Sequence, residues 1–222
     1  ERTMKGHLYV ILLALLPTIY ADTNCTFTKC TDSGTQLSPV KACGIVISVG
    51  LTKSEKCELL KKHNALRSYV AAGLETKGNP GPQPAALNMK PMRWDSQLAC
   101  VAQTWTNNCQ FAHDPYRFYV GQNIGVTMTT GNVTTKPSDI VQMWYDEVSK
   151  VDNISTNIFL IFINRDVEGI GHYTQLVWAT TEKLGCGKIV YQAPDNFKHY
   201  YLVCNYGPGG NIITAPIYET QQ

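Results

Sequence analysis

The chain contains three segments in which apolar residues recur every three or four positions, the period of a helix with one buried face. The first segment starts at a T-x-x-E pattern, Thr52 to Glu55, which is typical of a capping box at a helix N-terminus, and ends near Gly73. Its buried positions are predicted to be Leu59, His63, Leu66 and Val70. For His63, a core histidine bonded within the protein is favoured over a ligand.

Asp95 is a good N-cap for the second helix, and the third begins at Pro137 or Ser138. The predicted buried positions are Leu98, Val101, Ala102 and Trp105 in the second helix, and Ile140, Val141, Trp144 and Val148 in the third. Glu147 falls at the edge of the third helix's buried face. This position is compatible with either a solvated carboxylate or a functional one. Residues 78–84, "GNPGPQP", predict a loop because prolines fix φ and lack an N–H donor.

The last third of the chain changes to strand-like runs: "YTQLVWAT", "GCGKIVYQ" and "HYYLVCNYG", with turn chemistry in "APDNFK" between the last two. This order predicts an antiparallel meander. Helices followed by antiparallel strands indicate an α+β fold in which helices pack on a sheet. His172 stands just before the first run, so it is expected at a strand start, where it either faces a cleft or only holds the strand end.

The N-terminus is typical of a secretory signal peptide. Lys5 precedes an apolar run at residues 8–20, and Ala21 follows at a plausible cleavage point, so residues 1–21 are interpreted as leader and signal peptide. A membrane anchor is the alternative, but the run is short and contains Pro17. Residues 22–50 are rich in Cys and Thr with little periodicity, and they predict an irregular arm tied down by disulfides.

Composition excludes some classes of function. Hydrophobic residues make up 44% of the chain and charged residues 16%, which argues for a folded protein. A formal net charge of +2 with no basic block does not predict a nucleic-acid partner. The chain has no C-x-x-C pair of the kind that a structural metal site uses. The eight cysteines therefore indicate disulfides formed in an oxidising compartment. They are Cys25, Cys30, Cys43, Cys57, Cys100, Cys109, Cys186 and Cys204.

Three N-x-S/T triplets are candidate glycosylation sites, at Asn24, Asn132 and Asn153. Asn132 is the strongest of them, because it lies in the Gly- and Thr-rich stretch "TTGNVTTK". Such triplets also arise by chance.

Several motifs resemble a known superfamily. "GHYTQLVWA", "GCGKI" and "YYLVCNYGPGGN" are similar to the signature motifs of the cysteine-rich secretory, antigen 5 and pathogenesis-related 1 (CAP) superfamily. "GLETKGNPGPQP", "KHNALR", "VGQNIG" and "APIYE" narrow the resemblance to insect antigen 5, the venom allergen group with relatives in insect saliva. The resemblance extends from about Gly50 to Glu219 and implies one CAP domain over residues 51–222. It implies an α-β-α sandwich with a central antiparallel sheet and a large open cleft.

The resemblance also implies a cleft containing His113, Glu147 and His172. Gln122 of "GQN" stands where many superfamily members have Glu, and a neutral amide cannot act as a general base. Two histidines with a nearby carboxylate can bind zinc, so His113 and His172 are candidate metal ligands, although no cofactor is required. The family's disulfide pattern implies Cys43–Cys109 and Cys186–Cys204; the further pairs predicted are Cys57–Cys100 and Cys25–Cys30.

Three functions are compatible with the sequence and the resemblance. The first is a secreted, non-enzymatic venom or salivary protein that binds host molecules and is recognised by antibodies as an allergen. The second is a lipid or sterol carrier, which a sealed hydrophobic groove would favour. The third is a metal-assisted hydrolase, which the absence of G-x-S-x-G and H-E-x-x-H motifs disfavours. The partner is a host protein, a lipid or a small molecule that the sequence leaves open, and the chain is expected to be a monomer without a transmembrane segment.

Overall fold

The structure, a computed structural model, describes residues 38–117, 119–152 and 169–221. The helices are α1 (Lys53–Ala71), α2 (Ser96–Thr106), α3 (Pro137–Tyr145) and α4 (Gly171–Leu176), with short 3-10 helices at Lys41–Cys43 and Asp146–Lys150. The strands are β1 (Ile45–Val49), β2 (Arg93–Trp94), β3 (Gly121–Thr129), β4 (Lys183–Gln192) and β5 (Lys198–Gly207).

The strands form one sheet in the spatial order β1-β4-β5-β3, with antiparallel neighbours throughout, and β2 adds a short parallel pairing to β4. β4 and β5 pair from Lys183 opposite Gly207 to Gln192 opposite Lys198, which confirms the last hairpin of the predicted meander. β3 pairs with β5 along its whole length. This long three-stranded core holds the start of β3 in a fixed position.

Helices cover both faces of the sheet. Buried residues of α1, α3 and α4 form one cluster with even-numbered residues of β4 and β5, whereas Ala102 of α2 joins a second cluster with Ile189, Tyr201 and Val203. The alternation follows the period of two along a strand, since successive side chains point to opposite faces. The expected α-β-α sandwich with a central antiparallel sheet is confirmed.

The predicted helix starts are present. The Thr52 N–H donates to Glu55 Oε2 at 2.7 Å and the Glu55 N–H donates to Thr52 Oγ1 at 3.2 Å, which together complete the capping box. Asp95 Oδ1 accepts the Leu98 N–H at 3.0 Å as the N-cap of α2. Pro137 is the first residue of α3. Each of these bonds satisfies an amide that a helix N-terminus would otherwise leave unpaired.

α2 lies unusually close to the sheet, because two glycines of β4 face it. A Cβ on Gly185 would overlap the backbone at Ala99, and a Cβ on Gly187 would overlap the backbone at Gln103. The residues that α2 buries are Ala99, Cys100, Ala102 and Thr106, so its buried face is rotated from the one that the sequence predicts. Small side chains fit where two backbones nearly touch.

Two segments differ from their predictions. Residues 173–180 form no strand: Gly171–Leu176 is α4, and His172 therefore lies in the first turn of a helix and not at a strand start. The reason is tertiary, since Glu147 accepts amides of that first turn and Arg67 donates to the carbonyl of its last residue. The arm expected to be irregular ends in a 3-10 helix and in β1, which forms an edge of the sheet.

Two of the expected disulfides, Cys43–Cys109 and Cys186–Cys204, are present. Cys57 and Cys100 are also disulfide-bonded, and their pairing with each other stays a prediction. Cys25–Cys30 lies outside the described residues, as do the candidate glycosylation sites Asn24 and Asn153; Asn132 is exposed in the loop after β3.

Arg67 of α1 is a buried cation, 1% exposed, that joins α1 to the segment following α4. Burial lowers its pKa to about 9, so the guanidinium remains protonated at pH 7. All of its described partners are backbone carbonyls, at distances of 2.7–3.3 Å, and they belong to Lys90, Leu176, Trp178, Ala179 and Thr181. One side chain therefore fixes the backbone that leads from α4 to β4.

His63 is a fully buried core histidine, as predicted. Its Nδ1–H donates to the Leu59 carbonyl at 2.8 Å, and its Nε2 accepts the Tyr206 hydroxyl at 2.9 Å. The tautomer follows from these partners, because a carbonyl can only accept. Burial lowers the pKa of His63 to about 4 from an ordinary value of 6.5.

We expect acid to destabilise the protein through His63. Between pH 6.5 and pH 4 the unfolded chain binds a proton that the folded state excludes, so the free energy of unfolding falls as the pH decreases through this window. The expected loss is about 2 kcal/mol between pH 7 and pH 5, before most carboxylates titrate. Urea unfolding at a series of pH values measures it. A His63→Gln variant should show a shallower pH slope; identical slopes would contradict the assignment.

Among the helices of the described residues, none combines the length and the apolar character that crossing a bilayer requires.

Candidate functional site

A cavity of about 790 Å³ opens beside the start of β3. The segment before β3, the segment leading into α4 and the segment after β5 form its walls. Its described lining residues are Phe111, His113, Arg117, Val120, Gly121, Gln122, Asn123, Ile124, Gly169, Gly171, His172, Gln175, Gly210 and Asn211. The structure thus brings His113, Gln122 and His172 to one cavity, although they are far apart in sequence. Glu147 contacts His172 from behind the lining.

Glu147 orients His172. Glu147 Oε1 accepts from His172 Nδ1 at 2.7 Å, and Oε2 accepts the backbone N–H groups of His172 and Tyr173 at 2.9 and 3.1 Å. The imidazole also stacks on Trp144, with ring centroids 5.9 Å apart. A carboxylate bonded to Nδ1–H fixes the ring orientation and, in the neutral ring, the tautomer, which places the lone pair on Nε2.

Gln122 holds His113 in a similar way without a charge. Gln122 Oε1 accepts from His113 Nδ1 and from the Asp114 N–H, each at 3.0 Å, while its Nε2 donates to Asn205 Oδ1 at 3.0 Å. Because that amide oxygen can only accept, His113 also donates through Nδ1–H and keeps its lone pair on Nε2. In their neutral forms, both cavity histidines therefore have Nε2 as the nitrogen that can accept a hydrogen bond or bind a metal.

The environment of His113 favours its neutral form. Burial lowers its pKa below the ordinary 6.5, and the nearby charges of Arg117 and His172 lower it further, against the hydrogen bond to Gln122. A neutral imidazole is the form that binds a metal ion.

The floor of the cavity is tied to α1 by uncharged groups. Asn123 Nδ2 donates to the His172 carbonyl at 3.0 Å and to the Tyr206 hydroxyl at 3.2 Å, and Tyr206 donates to His63. Asn123, Tyr206 and His63 are all buried. This polar chain fixes the start of β3 relative to α4.

Arg117 is a cavity residue that the sequence did not single out. Its Nη1 donates to the Asp114 carbonyl at 2.7 Å, and no ion pair to it is present among the described residues. A lone Arg in a short loop carries no periodic or spacing signal. Only the resemblance of the neighbouring "FAHD" could have drawn attention to it.

Among the described residues, no group of three or more His, Cys, Asp or Glu side chains could hold a metal ion. A metal at this cavity would have two imidazole ligands, and water or a bound molecule would complete its coordination.

A family model described as "Cysteine-rich secretory protein family" matches residues 60–206, well over half of the chain. The chain belongs to this family. Within the family it is of the venom allergen type: it is 45% identical over 192 residues to Venom allergen 3 of Solenopsis invicta, covering 85% of this chain and 82% of that protein. It is 41% identical over 235 residues to a Venom allergen 5 of Vespula maculifrons, covering 98% and 99%. The resemblance to insect antigen 5 is confirmed.

Solved structures of the same fold agree with this membership. The structure named BmVAL-1 is 28% identical with a TM-score of 0.68, covering 78% of this chain and 85% of that one. The structure named "NaASP2 with Zn2+" is 31% identical with a TM-score of 0.67, covering 78% and 89%.

Proposed function

We propose that this protein is a secreted, non-enzymatic venom or salivary protein that binds host molecules in the cavity beside β3. The observation that carries the proposal is how the cavity histidines and Glu147 are hydrogen-bonded. Both imidazoles line the cavity and are held through Nδ1, and the carboxylate of Glu147 is already hydrogen-bonded. Disulfides and allergen relatives support secretion, and antibodies are expected partners if the protein is an allergen.

The geometry gives little support to a hydrolase. Both oxygens of Glu147 are occupied by the first turn of α4 and by His172, so the carboxylate orients a ring instead of accepting a proton from water. Gln122, at the other histidine, is neutral and cannot serve as a base. A hydrolase would need a base within hydrogen-bond reach of an attacking water.

We also propose that His113 and His172 hold a zinc ion as part of this binding cavity. Their Nε2 atoms carry the lone pairs, and one relative of known structure is named with Zn²⁺. Zinc would supply a positive charge and an open coordination position for a bound molecule. The lipid-carrier alternative needs a sealed hydrophobic groove, whereas the described cavity is open and contains imidazole and amide groups.

Zinc titration by calorimetry, together with a peptide-hydrolysis assay, tests the proposal. We expect wild-type protein to bind one zinc ion, His113→Ala and His172→Ala to weaken binding at least about tenfold, and no variant to hydrolyse peptides. Gln122→Glu should tighten zinc binding and raise the pKa of His113, because a carboxylate favours the charged imidazole and strengthens a ligand. His199→Gln, outside the cavity, is the control.

Equal zinc binding by the wild type and both alanine variants would refute the metal proposal and leave host-molecule binding. Peptide cleavage that requires zinc and is lost in His172→Ala would refute the non-enzymatic proposal.

A further inference from the structure

We infer that the cavity takes an extended acidic segment of a partner protein, with a carboxylate seated on Arg117 and the flanking chain packed on the aromatic rim. We define the rim as the exposed aromatic side chains of the segment that leads into β3, Phe111, Tyr116 and Tyr119; of these, Phe111 lines the cavity. The inference rests on the proposed binding function and specifies the chemistry of the partner.

Among the described residues, Arg117 has unused N–H donors. Its described hydrogen bond goes to a carbonyl, and none of the described Asp or Glu side chains forms an ion pair with it. The neighbouring carboxylate of Asp114 is mostly buried and accepts the Tyr116 N–H at 2.8 Å, which orders the loop. A guanidinium that lines a cavity with open donors matches a carboxylate, which it can bind through two parallel N–H···O bonds.

The charge of the cavity has one sign in the part of the chain that the structure describes. No Asp or Glu appears among the described lining residues, and Arg117 is one of them. Lys150 is not a lining residue, but its ammonium lies beside Gly169, which is one; a Cβ added to Gly169 would be 2.6 Å from Nζ. Glu147 is bonded to His172 behind the lining. The charges of the described residues therefore favour an anionic group in the cavity over a cationic one.

The rim extends the surface beyond what a small anion could cover. Phe111, Tyr116 and Tyr119 are 60%, 77% and 98% exposed. Tyrosine and arginine are the side chains that most often dominate protein–protein binding energy, because they offer a large contact area and hydrogen bonds. Their combination around an open cavity fits a polypeptide better than an isolated carboxylic acid or phosphate.

The loop that carries these residues is held in place. The Val120 N–H donates to the Arg117 carbonyl at 3.2 Å, the Gly209 N–H donates to the Tyr119 carbonyl at 3.2 Å, and Trp105 Nε1 donates to the Ala112 carbonyl at 2.8 Å. Tyr119 has a φ of 58°, in the left-handed region that non-glycine residues rarely adopt. A residue kept in this conformation is stabilised by its surroundings, and here the side chain is directed to solvent.

The test is a selection from a displayed library of random linear peptides on wild-type protein, followed by fluorescence anisotropy with a selected peptide and with its counterpart carrying Asn or Gln for each acid. We expect enrichment of Asp or Glu at one position. Arg117→Gln should weaken binding of the acidic peptide about tenfold or more, and the amide counterpart should lose a similar factor.

Matched control variants distinguish an effect at the cavity from the general effect of losing a positive charge or an exposed aromatic side chain. Lys41→Gln removes one positive charge from the 3-10 helix before β1, and it should leave affinity unchanged. Tyr119→Ala should weaken binding several-fold, whereas Tyr69→Ala on α1 should not. In a double-mutant cycle, the amide peptide should bind wild-type and Arg117→Gln protein equally, since each change already removes the same charge pair.

Three outcomes would overturn the inference: no enriched peptide, enrichment without a carboxylate, or equal losses for Arg117→Gln and Lys41→Gln. A non-acidic peptide whose binding is abolished by Arg117→Gln and Tyr119→Ala together would overturn the acidic partner while supporting the proposed binding cavity. Cleavage of the selected peptide would instead contradict the proposed non-enzymatic function.

Discussion

Arg67→Met is expected to lower the free energy of unfolding by about 3–5 kcal/mol, a large fraction of the stability of a domain of this size. Methionine preserves much of the side-chain volume but provides no donor. The carbonyls that Arg67 binds would then be buried without partners, and each such group costs about 1–3 kcal/mol unless the backbone relaxes. Urea unfolding followed by tryptophan fluorescence measures the loss.

Arg93→Met is the control for Arg67. Arg93 pairs with Glu182 at 3.5 Å on the surface, where the Arg93 side chain is 67% exposed, so its removal should change stability by about 0.5 kcal/mol or less. Arg67→Lys, which retains a charge but has fewer donors, should fall between Met and the wild type. If Arg67→Met and Arg93→Met lowered the free energy of unfolding by similar amounts, the hydrogen bonds of Arg67 to the carbonyls would not be important for stability.

Gly187→Ala is expected to destabilise the protein by about 2–3 kcal/mol, because the added methyl group would enter the backbone of α2 at Gln103. Backbone atoms cannot rotate away as a flexible side chain can, so the helix must move off the sheet. Amide hydrogen exchange measures the effect. Relative to the wild type, the variant should show faster exchange at α2 amides, while amides of α3, on the other face of the sheet, should change little under native conditions.

Gly131→Ala adds the same methyl group at a site with room for it. The nearest atom to a Cβ there is Thr129 Oγ1 at 3.6 Å, an ordinary contact on an exposed turn. Stability should remain within about 0.5 kcal/mol of the wild type. A loss at Gly131 equal to that at Gly187 would mean that glycine flexibility, and not close packing, explains the effect.

The parts of the fold that the sequence predicted are those with local causes. The capping box at Thr52 and Glu55, the N-cap at Asp95 and the proline at the start of α3 act within a few residues. The strands β4 and β5 pair with each other through backbone hydrogen bonds over ten residues, and only a short turn separates them. Such elements need little information from the rest of the chain.

The missed elements depend on distant residues. "YTQLVWAT" has a β-rich composition, yet α4 forms because Glu147 accepts amides at its start and Arg67 donates at its end. β1 differs, since its run "IVISV" is β-branched and apolar, but it is short and follows directly on the Cys-rich arm, which has no periodicity of its own.

The candidate site was predicted only through resemblance. No periodicity connects His113 with His172, and the roles of Gln122 and Glu147 as partners of Nδ1 depend on side-chain directions. Sequence reasoning placed Glu147 at the edge of a buried face, which left its role open. Arg67 and Arg117 gave no local signal, because a buried guanidinium and one in a cavity wall look alike in a sequence.

The uncharged chain from His63 through Tyr206 and Asn123 to the carbonyl of His172 gives the cavity a rigid shape before anything binds. A preorganised site loses little conformational entropy on association, so its affinity reflects contact quality and not the cost of ordering loops. Association should then approximate rigid-body docking, with small backbone differences between the free and occupied states. Selectivity among the molecules that the cavity is proposed to bind would consequently be set by shape and charge at the rim, and it could change by substitution of a few exposed side chains while the buried framework stays the same.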